Sequence, residues 1–506
     1  MQSQLKIGAT LNYIIIGLNS LVGLLYTPYM LYKLGQSEYG LYSLVASMIS
    51  YLTVLDLGLG NTTIRYTAKY KAEGKLKEQY ELFGMLLVFY LGIGVLVLIT
   101  GGWLYFNVDY LFSDTLSENE LSRARIMMLI LILNLAFTFP MSIWGSILIA
   151  YERFIFPKMI NIICIILNTI VMITLLHFGY RAIAMVVVQT IFNFISLLLQ
   201  YLYCKYKLQI KILYGKIKIA LFLEISIYSF WVFLDVIMNK VYWSTGQFVL
   251  AAISGTIAVA IFAVAIQLHS MYMQFSSAIS SVLLPKITKM VTTKDDYKEI
   301  SDLFIRTGRL QNLVMSLILF GFIVFGKQFI ILWAGLEYKE SYIVALLFFV
   351  ALYVPLIQNT GISILQARNQ MKFRSVLYIV IAIMSLGLQI VLAKLYGIIG
   401  CAIAISVALF LGQGVIMNIY YQGKQHLDIL RFWKEISKMN LAPICLSGIF
   451  YYLFKIQNVS DWATFILWVI VYSIIYIITL YLFAMNLEEK GLFKSFANKI
   501  ITIYGK

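Results

Sequence analysis

The sequence predicts an all-α integral membrane protein with about fourteen transmembrane helices, arranged as two six-helix lobes with pseudo-twofold symmetry plus two C-terminal helices. Three observations predict it: a composition that water does not suit, a regular recurrence of apolar stretches, and landmarks that repeat at one spacing. Of the 506 residues, 61% are hydrophobic and 12% charged, whereas a soluble domain is about one-quarter charged. The apolar stretches are each about 20 residues long, the length that crosses a hydrocarbon core of roughly 30 Å at 1.5 Å per residue.

Taken in order, the predicted spans lie near 8–33, 39–60, 82–106, 125–150, 159–178, 182–203, 220–243, 257–284, 309–331, 341–366, 375–396, 398–420, 441–456 and 462–485. Glycine-containing joints such as Leu34-Gly35-Gln36 and Phe178-Gly179-Tyr180 separate neighbouring spans so tightly that they form antiparallel hairpins. The N-terminal Met1 to Thr10 carries one lysine and runs into a full-length span without a small-residue cleavage site, so the first span is expected to serve as its own signal.

The net charge of +16, from 39 Lys and Arg against 23 Asp and Glu, would suggest nucleic acid in a soluble chain. Here it reports topology. Thirty of the 39 cations fall on the N-terminus, the even-numbered loops and the tail. Eight lie in the odd-numbered loops, and Lys240 falls inside span seven. Cations concentrate on the cytoplasmic side of short loops, so both termini are expected in the cytoplasm and the number of spans is expected to be even. Localisation follows as a multi-pass protein of a bacterial cytoplasmic membrane, without a nucleic-acid partner.

Internal repeats appear at three places. Gly35-Gln36-Ser37-Glu38-Tyr39-Gly40 before span two matches Gly255-Thr256-Ile257-Ala258-Val259-Ala260 before span eight at an offset of 220. Pro140, Gly145 and Arg153 match Pro355, Gly361 and Arg368 at 215 to 216, and Gly179 matches Gly397 at 218. Six spans per repeat is an even number, so both copies insert the same way, as in parallel-repeat transporters. The expected divisions are 1–205 for spans one to six, 206–425 for spans seven to twelve, and 426–506 for the last two spans and the tail.

No enzyme signature is present. The chain has no GxxxxGKS/T, HExxH or GxSxG motif, and its three histidines, His177, His269 and His426, are far apart. The four cysteines, Cys164, Cys204, Cys401 and Cys445, lack metal-ligand spacing and are expected to be buried free thiols. No cofactor or metal is expected.

The chemistry-bearing residues are the polar ones inside spans, since an ionisable group in hydrocarbon costs several kcal/mol unless it meets a cavity or a partner. In span seven Glu224, Tyr228, Trp231, Asp235, Asn239 and Tyr242 fall within about 80° of one another at 100° per residue. Span one carries a milder stripe of Asn12, Asn19, Tyr26 and Lys33 at seven-residue intervals, and span eight adds Gln267, Ser270, Gln274 and Ser281, with His269 on another side. Such stripes line a cleft, or they join helices by hydrogen bonds alone. Asp235 and Lys240, five positions apart, point about 140° away from each other, which disfavours a direct pair. Asp56 is expected to pin the end of span two, and Arg65, Lys69 and Lys71 to mark orientation and touch lipid headgroups.

The run Leu34-Gly35-Gln36-Ser37-Glu38-Tyr39-Gly40-Leu41-Tyr42, followed by Leu55-Asp56-Leu57-Gly58-Leu59-Gly60 and a basic segment, resembles the opening of Wzx-type polysaccharide transporters. Ala150-Tyr151-Glu152-Arg153-Phe154, Ser254-Gly255-Thr256 through Ala265-Ile266-Gln267-Leu268, and Ile331-Leu332-Trp333-Ala334-Gly335 with Glu337-Tyr338 extend the likeness over most of the chain. The resemblance implies a superfamily shared with multidrug extruders and lipid II flippases, and flipping of an undecaprenyl-diphosphate-linked oligosaccharide from the inner to the outer leaflet. Ser244-Thr245-Gly246-Gln247-Phe248 stands where members often carry an acidic residue, and span one lacks the arginine typical of lipid II flippases.

On that reading Lys33, Arg65, Lys240 and His269 supply a positive field for the diphosphate, and Asp235, Asn239 and the tyrosines Tyr26 and Tyr228 meet sugars. Asn19, Gln267 and Gln274 complete the expected cleft. The partners implied are the lipid-linked glycan, membrane lipids, a polysaccharide polymerase and other export components, with coupling to H+, Na+ or the membrane potential left open. A multidrug antiporter of the same superfamily is the competing class. A major-facilitator permease is disfavoured because Asn61 to Gln79 lacks that family's loop motif.

Overall fold

A computed structural model of the chain describes residues 2–56, 58–214, 237–280, 287, 290–291, 296–368, 370–457 and 459–491. All regular structure among these residues is helical. The helices are α1 (Gln2–Leu52), α2 (Leu59–Ala72), α3 (Leu76–Phe106), α4 (Val108–Phe112), α5 (Glu118–Ala150), α6 (Ile155–His177), α7 (Ala182–Leu202), α8 (Thr245–Ser280), α9 (Tyr297–Ala334), α10 (Ser341–Ile357), α11 (Thr360–Ala367), α12 (Lys372–Leu409), α13 (Met417–Gly423), α14 (Ile429–Ile456) and α15 (Trp462–Thr479).

Ten of the described helical runs are long and apolar enough to cross a membrane, or eleven when α10 and α11, bent by 45°, count as one. Three of these runs are too long for a single crossing: Thr10–Ala72, Ile237–Ser277 and Lys372–Gly423, with 63, 41 and 52 residues against the about 20 that a bilayer takes. Each is broken near its middle by a glycine of positive φ, and the first also turns at Gly58, with φ 73°, before α2. Gly35 has φ 74° and ψ 173°, Gly255 has φ 77° and ψ −173°, and Gly397 has φ 58° and ψ −133°. A side chain at such positive φ is strained, so glycine reverses the chain there at least cost. Eleven runs with three such reversals are the fourteen expected spans.

Two of the landmark pairs share the sign of φ. Gly35 and Gly255 adopt nearly one conformation, and Gly179 and Gly397 both have positive φ. The proline landmarks diverge: α5 runs through Pro140 unbroken, whereas the helix at Pro355 ends two residues later and bends into α11.

Two boundaries differ from the expectation. Span seven was expected to stop at 243; helix is interrupted there by a turn at Ser244 but resumes from Thr245 to the Gly255 break. The polar residues at this junction have protein partners: the Ser244 hydroxyl lies 3.0 Å from that of Ser50, and the Thr245 and Tyr51 hydroxyls are hydrogen-bonded. Residues 61–72, expected in the basic loop after span two, lie in α2, which buries Leu59, Thr62, Thr63, Tyr66 and Thr67 and leaves its cations outside. All four cysteines are free, but only Cys204 and Cys401 are buried; Cys445 is exposed and Cys164 partly so. An apolar thiol on an outward helix face needs no burial when its surroundings are lipid.

The chain divides into two compact units. The first comprises Met1–Ala263 with Leu386–Cys401, and the second Val264–Ser385 with Ala402–Lys506. The second unit holds spans thirteen and fourteen on α9 through an aromatic cluster of Phe325, Phe450, Phe454, Phe465, Tyr472 and Tyr476. Its hydroxyls are satisfied internally, Tyr476 donating to Ser316 at 2.9 Å and Tyr472 lying 2.8 Å from Ser447.

Candidate functional site

Within the first unit, α1 and α5 are long helices whose two ends differ in kind. Near the Gly35 break, carboxylates collect hydrogen bonds. Glu120 accepts from Ser37 at 2.6 Å and from Thr256 at 2.9 Å, while it closes a capping box with Ser117 at the start of α5. Glu38, only 5% exposed, is 2.5 Å from Arg123 and 3.7 Å from Arg181, and accepts the backbone N–H of Ala182 at 3.3 Å. Thr115 donates to the carbonyl of Ala251 at 2.7 Å, and Phe112 meets Phe248 edge-on with ring centroids 5.4 Å apart. Gly40 abuts the Thr256 carbonyl so closely that any Cβ would collide with it. The residues around the Gly35 and Gly255 breaks therefore form an interlocked seal.

At the other end of the same helices lies a cavity of about 590 Å³. Asn12 and Ile15 of α1, Ile149 of α5, Phe154, Pro157, Lys158 and Asn161 at and beyond the start of α6, and Ser196 and Gln200 of α7 line it. The half-buried Lys158 donates from Nζ to Asn12 Oδ1 at 2.7 Å, and Gln200 donates to the Ser196 hydroxyl at 3.3 Å. Nothing in the sequence flagged Lys158 except its place in the charge count. Its neighbour Asn12 is 146 residues away, and no local pattern links the two.

The residues expected to form the cleft are dispersed. Tyr228 and Asp235, with Glu224 and Trp231, lie outside the described residues. Asn239 is exposed, Lys240 half-buried and Tyr242 buried. In span one, Asn19 is exposed, and Lys33 is exposed with its ammonium 5.8 Å from the Tyr29 ring centre. Tyr26 turns inward, its hydroxyl 3.5 Å from the sulfur of Met172. Arg65 on α2 is exposed and sits 5.8 Å from the Tyr66 ring centre. Asp56 lies beside the Tyr90 hydroxyl and the Gly58 backbone.

In the second unit, Gln267 and Gln274 are half-buried on α8. His269 is 3% exposed and meets Phe348 edge-on, with ring centroids 6.1 Å apart. Larger polar clusters that the sequence reading missed lie on α9 and α14. Arg309, 9% exposed on its side chain, donates to both oxygens of the buried Glu489 at 2.7 and 2.9 Å and to Glu435 at 3.2 Å. Asn440 donates to the Tyr353 hydroxyl at 2.7 Å, and Tyr353 in turn is hydrogen-bonded to Asn312. Among the described residues, no group of three or more His, Cys, Asp or Glu could hold a metal.

The described chain is an all-α membrane fold with glycine-broken spans and a polar cavity between helices. The solved structures it resembles include a flippase and multidrug transporters. A lipid II flippase, MurJ, in an inward closed conformation superposes with a TM-score of 0.71 at 16% identity, covering 94% of this chain and 98% of that one. An inward-facing multidrug-resistance MATE family transporter of the MOP superfamily gives 0.58 at 16% identity, covering 84% and 95%. The MATE multidrug transporter DinF-BH gives 0.59 at 16% identity, covering 84% and 96%. At these identities the likeness concerns the fold. No curated protein sequence matches the chain significantly. The model of the polysaccharide biosynthesis protein family matches residues 6–291, and the chain belongs to that family.

Proposed function

We propose that this protein flips undecaprenyl-diphosphate-linked oligosaccharide units from the inner to the outer leaflet of a bacterial cytoplasmic membrane for surface polysaccharide assembly. The observation that carries the reading is the asymmetry of the first unit, in a member of a polysaccharide biosynthesis family: α1 and α5 are sealed at one end and open into a polar, cationic cavity at the other. Sugars and phosphates cannot enter hydrocarbon unless their water contacts are replaced, and a cavity lined by amides, a hydroxyl and an ammonium replaces them. With both termini in the cytoplasm, the open end receives substrate from the inner leaflet. Rocking of two six-span lobes, with 426–506 appended, would then exchange the sealed and open ends.

Two negative charges moving outward gain about 2.3 kcal/mol each per 100 mV of inside-negative potential, so the potential assists without ATP. Coupling to protons or sodium ions would add a further drive, and a polymerase with other export components would take up the product. The reading is of a transporter, not an enzyme.

The likeness to multidrug transporters favours a second reading, a cation antiporter. A deletion strain separates the two. Loss of surface polysaccharide with accumulated lipid-linked repeat units, restored by the wild-type gene, supports the flippase. Unchanged glycan with heightened drug sensitivity refutes it.

A further inference from the structure

The first unit's arginines near the seal spend their charge on carboxylates. Arg123 and Arg181 face Glu38, and Arg125 pairs with Asp109. Lys158 differs. Its partner in the structure is the neutral Asn12, and no carboxylate lies within ion-pair distance of it among the described residues. An ammonium has three donors, and a lysine held by an amide dipole keeps its full charge for an incoming anion.

The cavity around it suits one. Its polar lining consists of Lys158, Asn12, Asn161, Ser196 and Gln200, so it carries one positive charge and no negative one. Its remaining walls, Ile15, Ile149, Phe154 and Pro157, are apolar. Ser196 accepts from Gln200, which leaves its own proton to donate outward.

Gly145, one of the repeat landmarks, has its purpose here. A Cβ at that position would stand 2.6 Å from Gln200 Oε1, so the bare glycine gives the Gln200 amide its place at the cavity wall. At about 590 Å³ the space falls in the ordinary range of small-molecule sites, roughly 300–1,000 Å³.

We propose that this cavity is a phosphate-anion site, with Lys158 as its cation and Asn161, Ser196 and Gln200 as neutral donors, which takes the diphosphate of the lipid-linked substrate. The proposal rests on the flippase reading and adds to it the place where the charged group docks before translocation. Lysine is a compact point charge, suited to a phosphate that must later leave, where arginine would offer a bidentate grip.

The test uses the purified full chain in detergent, with three probes: undecaprenyl diphosphate against undecaprenol, inorganic diphosphate as a competitor, and phosphatidylglycerol as a second competitor. Wild type is expected to prefer undecaprenyl diphosphate, and inorganic diphosphate to compete for it. Lys158→Gln is expected to weaken that binding by about tenfold or more, and Lys158→Arg to retain most of it. Asn161→Asp, at an exposed position, places a carboxylate in the cavity and is expected to weaken binding comparably, so the inference stays testable should Lys158→Gln fold poorly.

Equal binding by wild type, Lys158→Gln and Asn161→Asp overturns the proposal. Competition by phosphatidylglycerol as strong as by inorganic diphosphate assigns the cavity to a lipid headgroup and overturns it as well, as does a wild type that does not distinguish undecaprenyl diphosphate from undecaprenol. The flippase reading is judged by the deletion strain, where wild-type complementation can stand while the Lys158 site fails.

Discussion

The two ends of α1 and α5 show how one pair of helices can be structural at one end and receptive at the other. Near Gly35 the carboxylates are engaged on several sides: Glu38 faces two arginines and a backbone N–H, and Glu120 gathers hydroxyls from Ser37, Ser117 and Thr256. Near Asn12 a lysine meets only neutral dipoles around a cavity. A buried carboxylate such as Glu38 with several partners holds helices together, and removing one partner strands the other. An unmatched cation beside empty space contributes little to stability and remains available to a ligand. Sealed-end residues should therefore be read out in stability, open-end residues in binding.

Predictions ordered by size can break or sharpen that contrast. The largest effect is expected in the second unit, where the same logic is most extreme. Arg309→Ala leaves Glu489, 4% exposed, without its bidentate partner and should cost about 3–5 kcal/mol. The double variant Arg309→Met with Glu489→Leu should recover most of the loss in thermal melts of purified protein. A melting point for Arg309→Ala equal to that of wild type would show that the pair holds nothing.

Next comes Glu38→Ala, which removes the acceptor for the buried N–H of Ala182 and the partner of Arg123. About 1–3 kcal/mol of destabilisation is expected, and raising the salt concentration should not reproduce it, because the carboxylate is buried. Glu120→Ala opens the capping box and frees Ser37 and Thr256. It should cost about 1–2 kcal/mol and increase labelling of a cysteine introduced at Thr115. Unaltered labelling there would mean the seal holds without Glu120.

The smallest stability effect belongs to the open end. Lys158→Gln is expected to melt within about 0.5 kcal/mol of wild type while failing to restore surface polysaccharide in the deletion strain. A large fall in melting temperature would place Lys158 among the structural charges and erase the contrast.

Much of the architecture was legible because its causes act on single residues or neighbours. Gly35, Gly255 and Gly397 could be identified as reversals because chain reversal between spans needs a torsion that glycine adopts most easily. The end of span seven was misplaced for the opposite reason. Helix resumes past Ser244 and Thr245 where Ser50 and Tyr51, almost 200 residues away, meet their hydroxyls as helix-packing partners. Tyr26 likewise shares the periodicity of Asn12 and Asn19, yet its hydroxyl turns to the methionine sulfurs of α6 and α7. Periodicity states which face a residue occupies; it does not state what that face meets.

The sequence by itself determined that this is a helical membrane protein of about fourteen spans, some of them joined at glycine reversals. Transfer free energy is a sum over residues, and the glycine torsions are local, so a linear string carries both. Only the tertiary structure decided which polar residues are used up and which are left to work. Lys158, Asn12 and Gln200 form one site because α1, α6 and α7 pack in one particular way. A cavity is a property of how helices fit together, and no helix carries it alone.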